Sequence, residues 1–118
     1  MYIRHEIGKV GEKIANDYLK KQGYVIIERN FEAKQGEIDI IAREEKELVF
    51  IEVKTRTGKR YGEPVEAVNN IKQKHLIKTV EYYLYSRKLE KEYVRIDVIE
   101  IYLYKNKKYK INHIKQII

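Results

Sequence analysis

The sequence predicts a mixed α+β domain, with helices packed on a sheet in the order helix, three strands, helix, two strands. The helices follow from apolar residues recurring at three- and four-residue spacing over residues 6–22 and 66–88. The strands follow from β-branched or alternating runs at 24–31, 38–42, 48–53, 93–104 and 109–118. No repeat, linker or low-complexity stretch divides the 118 residues, so 1–118 is read as a single domain.

In the first helix Ile7, Val10, Ile14 and Tyr18 form the apolar stripe, widened by Ala15 and Leu19. Gly8 and Gly11 weaken a helix intrinsically, which points to close packing or close backbone approach. Glu12 stands at the margin of the stripe. By residue type alone it is a solvated first-turn acid, favoured by the helix dipole. Gly23 ends the helix. Residues 24–31 make the first strand, and Arg29 and Asn30 near its end fit either a plain surface or a contact to a substrate backbone.

The chemistry concentrates in residues 36–56. Two β-branched runs flank the charged stretch Arg43–Glu47, the pattern of an antiparallel hairpin. Side chains alternate along a strand, so Glu37, Asp39 and Ile41 share one side, and Leu48, Phe50, Glu52 and Lys54 share a side of the next strand. With a loop at 44–47, Arg43 pairs with Leu48, which sets Asp39 opposite Glu52 and Glu37 opposite Lys54. Like charges across a ladder are destabilising, so two facing carboxylates need a reason. A hard divalent cation supplies one, because Mg²⁺ (or Mn²⁺) is held by one or two carboxylates plus water and phosphate oxygens. Lys54 adds a point charge for a phosphate or an attacking water.

Asp39 followed across a turn by Glu52-Val53-Lys54 looks like the Asp…Glu-x-Lys core of the PD-(D/E)XK nucleases. The longer strings Gly36-Glu-Ile-Asp-Ile-Ile and Val49-Phe-Ile-Glu-Val-Lys-Thr-Arg are more specific. Together with Gly11-Glu12, Arg29-Asn30-Phe31 and Tyr61-Gly62 they resemble the small bacterial YraN-like family, relatives of archaeal Holliday-junction resolvases. The likeness covers roughly residues 8–104 and departs from the wider superfamily in carrying Ile38 where many members have Pro. It implies a restriction-endonuclease-like core and a Mg²⁺-dependent endonuclease acting on nucleic acid, DNA in particular, including branched DNA. It implies a catalytic set of Glu12, Asp39, Glu52 and Lys54. Metal would be bound by Asp39, Glu52 and the Val53 carbonyl, with Glu12 and Glu37 as further ligand candidates. It also implies that Gln73 or Lys74 borders the site, and that the chain pairs as a symmetric homodimer. Weighed against this is a nucleic-acid-binding or assembly module that keeps the fold and cleaves little; the complete four-residue set argues against it.

The stretch 55–62 is basic, with glycine and an aromatic residue. It is read either as phosphate contacts by Arg56, Lys59 and Arg60 with stacking on Tyr61, or as a loop of solvated charges. Pro64 marks the approach to the second helix. There Val68, Ile71, Leu76, Val80, Tyr83 and Leu84 make the apolar face. His75 is read as a helix-surface residue, since no second histidine stands at ligand spacing. The run 93–104 alternates with a change of phase near Ile99–Ile101. Within it Asp97 is weighed as a third carboxylate and, lying outside the motif, read as structural or interfacial. Residues 82–85 and the last strand are the expected dimer surfaces.

Lys and Arg total 25 against 18 Asp and Glu, a formal charge of +7, which suits a polyanionic partner. The absence of cysteine excludes disulfides, thiolate metal sites and a cysteine nucleophile. Nothing is long and apolar enough to span a membrane, and no signal-peptide core opens the chain, so a cytoplasmic protein is expected.

Overall fold

The computed structural model describes residues 4–57 and 70–118. The elements are α1 (Arg4–Lys21), β1 (Val25–Ala33), β2 (Gly36–Glu44), β3 (Glu47–Thr57), α2 (Asn70–Ser86), β4 (Tyr93–Leu103) and β5 (Tyr109–Ile114). The expected order of helices and strands is therefore the observed one. The sheet runs β1-β2-β3-β4-β5, antiparallel throughout except for the parallel pair β3 and β4. Parallel neighbours need a crossover, and α2 lies in the connection between them.

Each helix covers one face. Ala15 and Leu19 of α1 pack with Ile40, Ala42, Val49, Ile51, Ile99 and Ile101. Leu76, Val80 and Tyr83 of α2 pack with Phe31, Ile38, Ile41, Leu48, Phe50 and Ile96. Strand β3 thus divides by parity, Val49 and Ile51 toward α1, Leu48 and Phe50 toward α2. Tyr83 is locked between two rings, edge-on to Phe31 at 5.0 Å and to Phe50 at 5.5 Å. It is core, so of the tyrosines at 82–85 only Tyr82 and Tyr85 remain exposed for a partner.

Three expectations are adjusted. The hairpin has the expected Arg43–Leu48 rung, but Glu44 also pairs with Glu47 and the loop shrinks to Glu45-Lys46, with Glu45 in the left-handed region at φ 52°. Strand β4 has no slip near Ile99: its register with β3 is continuous from Glu47–Tyr93 to Thr57–Leu103. The apparent change of phase arises because this central strand is buried on both faces, with Arg95 and Asp97 on the face that continues as Ile99 and Ile101. The last strand stops at Ile114, preceded by a 3-10 turn at Lys105–Lys107.

Close approach is realised at Gly11 and not at Gly8. A Cβ on Gly11 would collide with the side chain of Thr55, whereas one on Gly8 would meet nothing within 4 Å. Thr55 has the parity of Val49 and Ile51, so the N-terminal half of α1 lies directly on the far end of β3. Asp97 proves structural. It accepts hydrogen bonds from Arg95 Nε (2.9 Å) and from the Gln116 amide (3.0 Å), and its Oδ2 lies 2.7 Å from His113 Nε2. Arg95 in turn reaches Glu44, Glu47 and the Tyr24 hydroxyl. Among the described residues no helix is long and apolar enough to cross a membrane.

Candidate functional site

The β2–β3 ladder runs from Glu44–Glu47 to Ile40–Ile51. On the other side of β2, the rungs Arg29–Ile40 and Phe31–Ile38 bracket Asn30, which is left-handed at φ 54°. At this irregularity β2 changes faces: Ile40 belongs to the α1 core and Ile38 to the α2 core. Asp39 sits at the change. Local irregularities of this kind re-aim a side chain, and here Asp39 Oδ2 accepts a hydrogen bond from the Val53 amide at 2.8 Å. The carboxylate thus takes an amide of β3 just beyond the last rung.

Four acids converge on that point. Burial pushes the Asp39 carboxyl up, and the charge of Glu52 pushes it further; the Val53 amide opposes, and Glu12 and Glu37 add to the rise. The result is a carboxyl that titrates at about 7 instead of 3.8. Glu12 arrives from α1, whose seat on Thr55 requires Gly11. Glu52 and Lys54 come from alternate positions of β3, and Lys54 Nζ lies 3.3 Å from Glu52 Oε1. All four expected catalytic residues are therefore assembled at one place.

Glu37 departs from its expected position. It pairs with Glu32 of β1, and the ion pair of Lys54 is with Glu52. Glu37 instead lines a cavity of about 390 Å³, shared with Gln35, Gly36, Glu52, Lys54, His75, Leu76 and Thr79. Neither Gln73 nor Lys74 lines it: Lys74 is exposed and Gln73 half-buried. The turn of α2 that faces the site is one further on, so His75, read from sequence as plain surface, is exposed and also forms part of the cavity wall. Arg29 is exposed on β1, and Arg56 is half-buried on β3 with its Nε unpartnered. Lys59, Arg60 and Tyr61 lie outside the described residues.

Among the described residues no three His, Cys, Asp or Glu side chains stand close enough to cage a metal by themselves. A cation here would rest on Asp39, Glu52 and the Val53 carbonyl, completed by water or substrate oxygens, the coordination Mg²⁺ prefers. The donor set fits that use, because a carboxyl raised by three neighbouring acids is the electrostatic condition that a divalent charge relieves.

The "Uncharacterised protein family UPF0102" matches this sequence over residues 11–101. The chain belongs to the UPF0102 family. It is 50% identical over 116 residues to a UPF0102 protein of Clostridium botulinum strain 657, covering 97% of this chain and 94% of that one. It is 45% identical over 113 residues to a UPF0102 protein of Caldicellulosiruptor saccharolyticus (95% and 96%). A third, from Caldanaerobacter subterraneus subsp. tengcongensis, is 47% identical over 110 residues (92% and 90%).

Two polar groups of this UPF0102 chain escaped the sequence reading. Glu100 of β4 is in register with Lys54 and fully buried; its Oε1 accepts from Tyr102 (2.7 Å) and Asn112 (3.0 Å), while Oε2 has no partner. Gln35 carries a buried Oε1 that is also unpartnered. Glu100 was legible only as the polar member of an alternating strand, and Gln35 only as a turn residue.

Proposed function

We propose that this protein is a metal-dependent endonuclease of the PD-(D/E)XK type, within the YraN-like group, that hydrolyses phosphodiester bonds in nucleic acid, DNA in particular. The observation that carries the reading is the Asp39 carboxyl raised to about 7 by burial and by Glu52, Glu12 and Glu37. Perturbation of this kind gathers at functional sites. Asp39, Glu52 and the Val53 carbonyl would hold Mg²⁺ or Mn²⁺. When bound, such a cation lowers the pKa of a coordinated water and stabilises charge on the phosphate. Lys54, tethered by Glu52 at 3.3 Å, holds the water or a phosphate oxygen by its positive charge. Glu12 adds an acceptor from the helix side. The +7 chain steers a polyanion toward this acidic centre. A symmetric dimer is proposed as the working assembly, with Tyr82 and Tyr85 exposed on α2 for contact.

A screen of duplex, branched and single-stranded substrates with Mg²⁺ or Mn²⁺ tests the reading. Cleavage abolished by Asp39→Asn is expected. Salt-sensitive binding with no cleavage of any substrate would support the binding-module alternative.

A further inference from the structure

We propose that the cavity beside Glu52 and Lys54 seats the base of one unpaired nucleotide, whose phosphate lies at the Lys54 end. The inference rests on the nuclease reading and narrows its substrate to nucleic acid with a base out of the stack: a bulge, flap, branch or single strand.

The first argument is volume. About 390 Å³ lies in the range of small-molecule sites, roughly 300–1,000 Å³, and exceeds what a cation and its waters need. The second is the division of the walls. Glu37, Glu52 and Lys54 form the charged end, next to Asp39, while Gln35, His75, Leu76 and Thr79 form an uncharged one. A nucleotide has that polarity, with an anionic phosphate at one end and a neutral planar heterocycle at the other. The cation expected at Asp39 and Glu52 would offset the acids that otherwise repel the phosphate.

The third argument is hydrogen-bonding capacity. Gln35 Oε1 is buried with no partner, and a buried carbonyl oxygen seeks a donor. Thr79 Oγ1 already gives its proton to the His75 carbonyl at 2.8 Å, which leaves its lone pairs free. Every nucleobase presents an N–H donor on its pairing edge, and that edge is available only when the base is unpaired. The His75 ring and the Leu76 side chain offer the planar and apolar surfaces on which an extruded base rests. The turn that carries Gln35 is seated firmly against α2, since even a Cβ on Gly36 would come within 3.0 Å of Thr79 Oγ1.

The test uses the full chain and fluorescently labelled DNA hairpins held in Ca²⁺, a cation chosen to support binding without turnover. One hairpin carries a single bulged adenine, a second an abasic residue at the bulge, and a third is fully paired. The bulged adenine is expected to bind at least about tenfold more tightly than the abasic form. Gln35→Leu and, separately, the exposed His75→Ala should remove that difference, while each keeps the wild-type melting shift on adding Mn²⁺. Equal binding of adenine and abasic bulges, or an undiminished difference in both variants, would overturn the proposal. So would binding of free dAMP as tight as that of the bulged hairpin, which would assign the cavity to a mononucleotide. Failure of the nuclease reading shows separately, as base-dependent binding without cleavage in Mg²⁺.

Discussion

The amide of Val53 donates to Oδ2 of Asp39 at 2.8 Å, one residue past the rung formed by Ile40 and Ile51. A side chain thus replaces a backbone acceptor where β2 and β3 part. The same bond fixes Asp39 beside Glu52 and steadies the peptide whose carbonyl is the third expected metal ligand. Where a hairpin would ordinarily continue, this chain opens into a cluster of acids.

The cluster should make stability depend on pH in an uncommon direction. Asp39 titrates at about 7 in the folded chain and near 3.8 in the unfolded one, so the folded state binds more protons between those values. Metal-free stability should therefore fall as pH rises from about 4 to about 7, by about 2–4 kcal/mol, and level off above. Mn²⁺ should reverse the loss, with a gain of roughly 2.7 kcal/mol at a hundredfold excess over Kd. That gain should be larger at pH 8 than at pH 6, because the proton on Asp39 competes with the cation. Asp39→Asn should flatten both dependences. Urea titrations at pH 5, 6 and 8 measure them, and an Asn variant that keeps either would place the titrating group elsewhere.

Gly11 is a second point where fold and site meet. Since a Cβ there would strike Thr55, Gly11→Ala must push α1 away from β3. The expected cost is about 1–3 kcal/mol, as for other overpacked contacts. Because Glu12 is the next residue, the metal-linked melting shift should shrink as well. Thr55→Ala in the same chain should restore part of both losses. Calorimetry of the single and double variants reads this, and full additivity of the two substitutions would refute the contact.

The motif residues were legible because their spacing sets their register: Arg43 opposite Leu48 leads by simple alternation to Glu52 and Lys54 on one face. The fold was legible because the periods of 3.6 and 2 are clean in α1 and in the hairpin. Glu37 was misplaced because the count assumed an unbroken ladder, whereas β2 changes faces at Asp39, opposite the left-handed Asn30. Gln73 and Lys74 were favoured over His75 and Thr79 because sequence does not fix how α2 is rotated on the sheet. The buried set Arg95, Asp97 and His113 joins β4 to residues near the C-terminus, and no local pattern announces such a pairing.

That buried set should behave as a stabilising unit apart from the metal site. Burial raises the Asp97 carboxyl, but hydrogen bonds from His113, Arg95 and the Gln116 amide outweigh it and hold the group below its ordinary 3.8. Its contribution is therefore present above about pH 4 and lost as pH falls through the folded value. Asp97→Ala leaves the Arg95 guanidinium buried without its main partner and should cost about 3–5 kcal/mol. The Mn²⁺-dependent shift should survive in whatever fraction stays folded. Melts near neutral pH check this, and loss of the shift from a folded Asp97→Ala protein would tie the network to the site.

Lys54 separates binding from reaction. Its only printed partner in charge is Glu52 at 3.3 Å, with both side chains partly exposed, so the pair itself contributes about 0–1 kcal/mol. Lys54→Ala should therefore change metal-free stability little. Removing a cation beside Glu52 also leaves that carboxylate more available, so Mn²⁺ should bind as tightly as in wild type or more so. Cleavage, by contrast, should fall by about 10²–10³, the loss typical of removing one electrostatic donor from a reacting centre. Asp39→Asn should lose both properties together. Parallel metal titrations and single-turnover assays on the three proteins give the comparison. A Lys54→Ala protein that cleaves normally would leave Lys54 as a partner of Glu52 alone, and one that no longer binds Mn²⁺ would make it part of the metal site's scaffold.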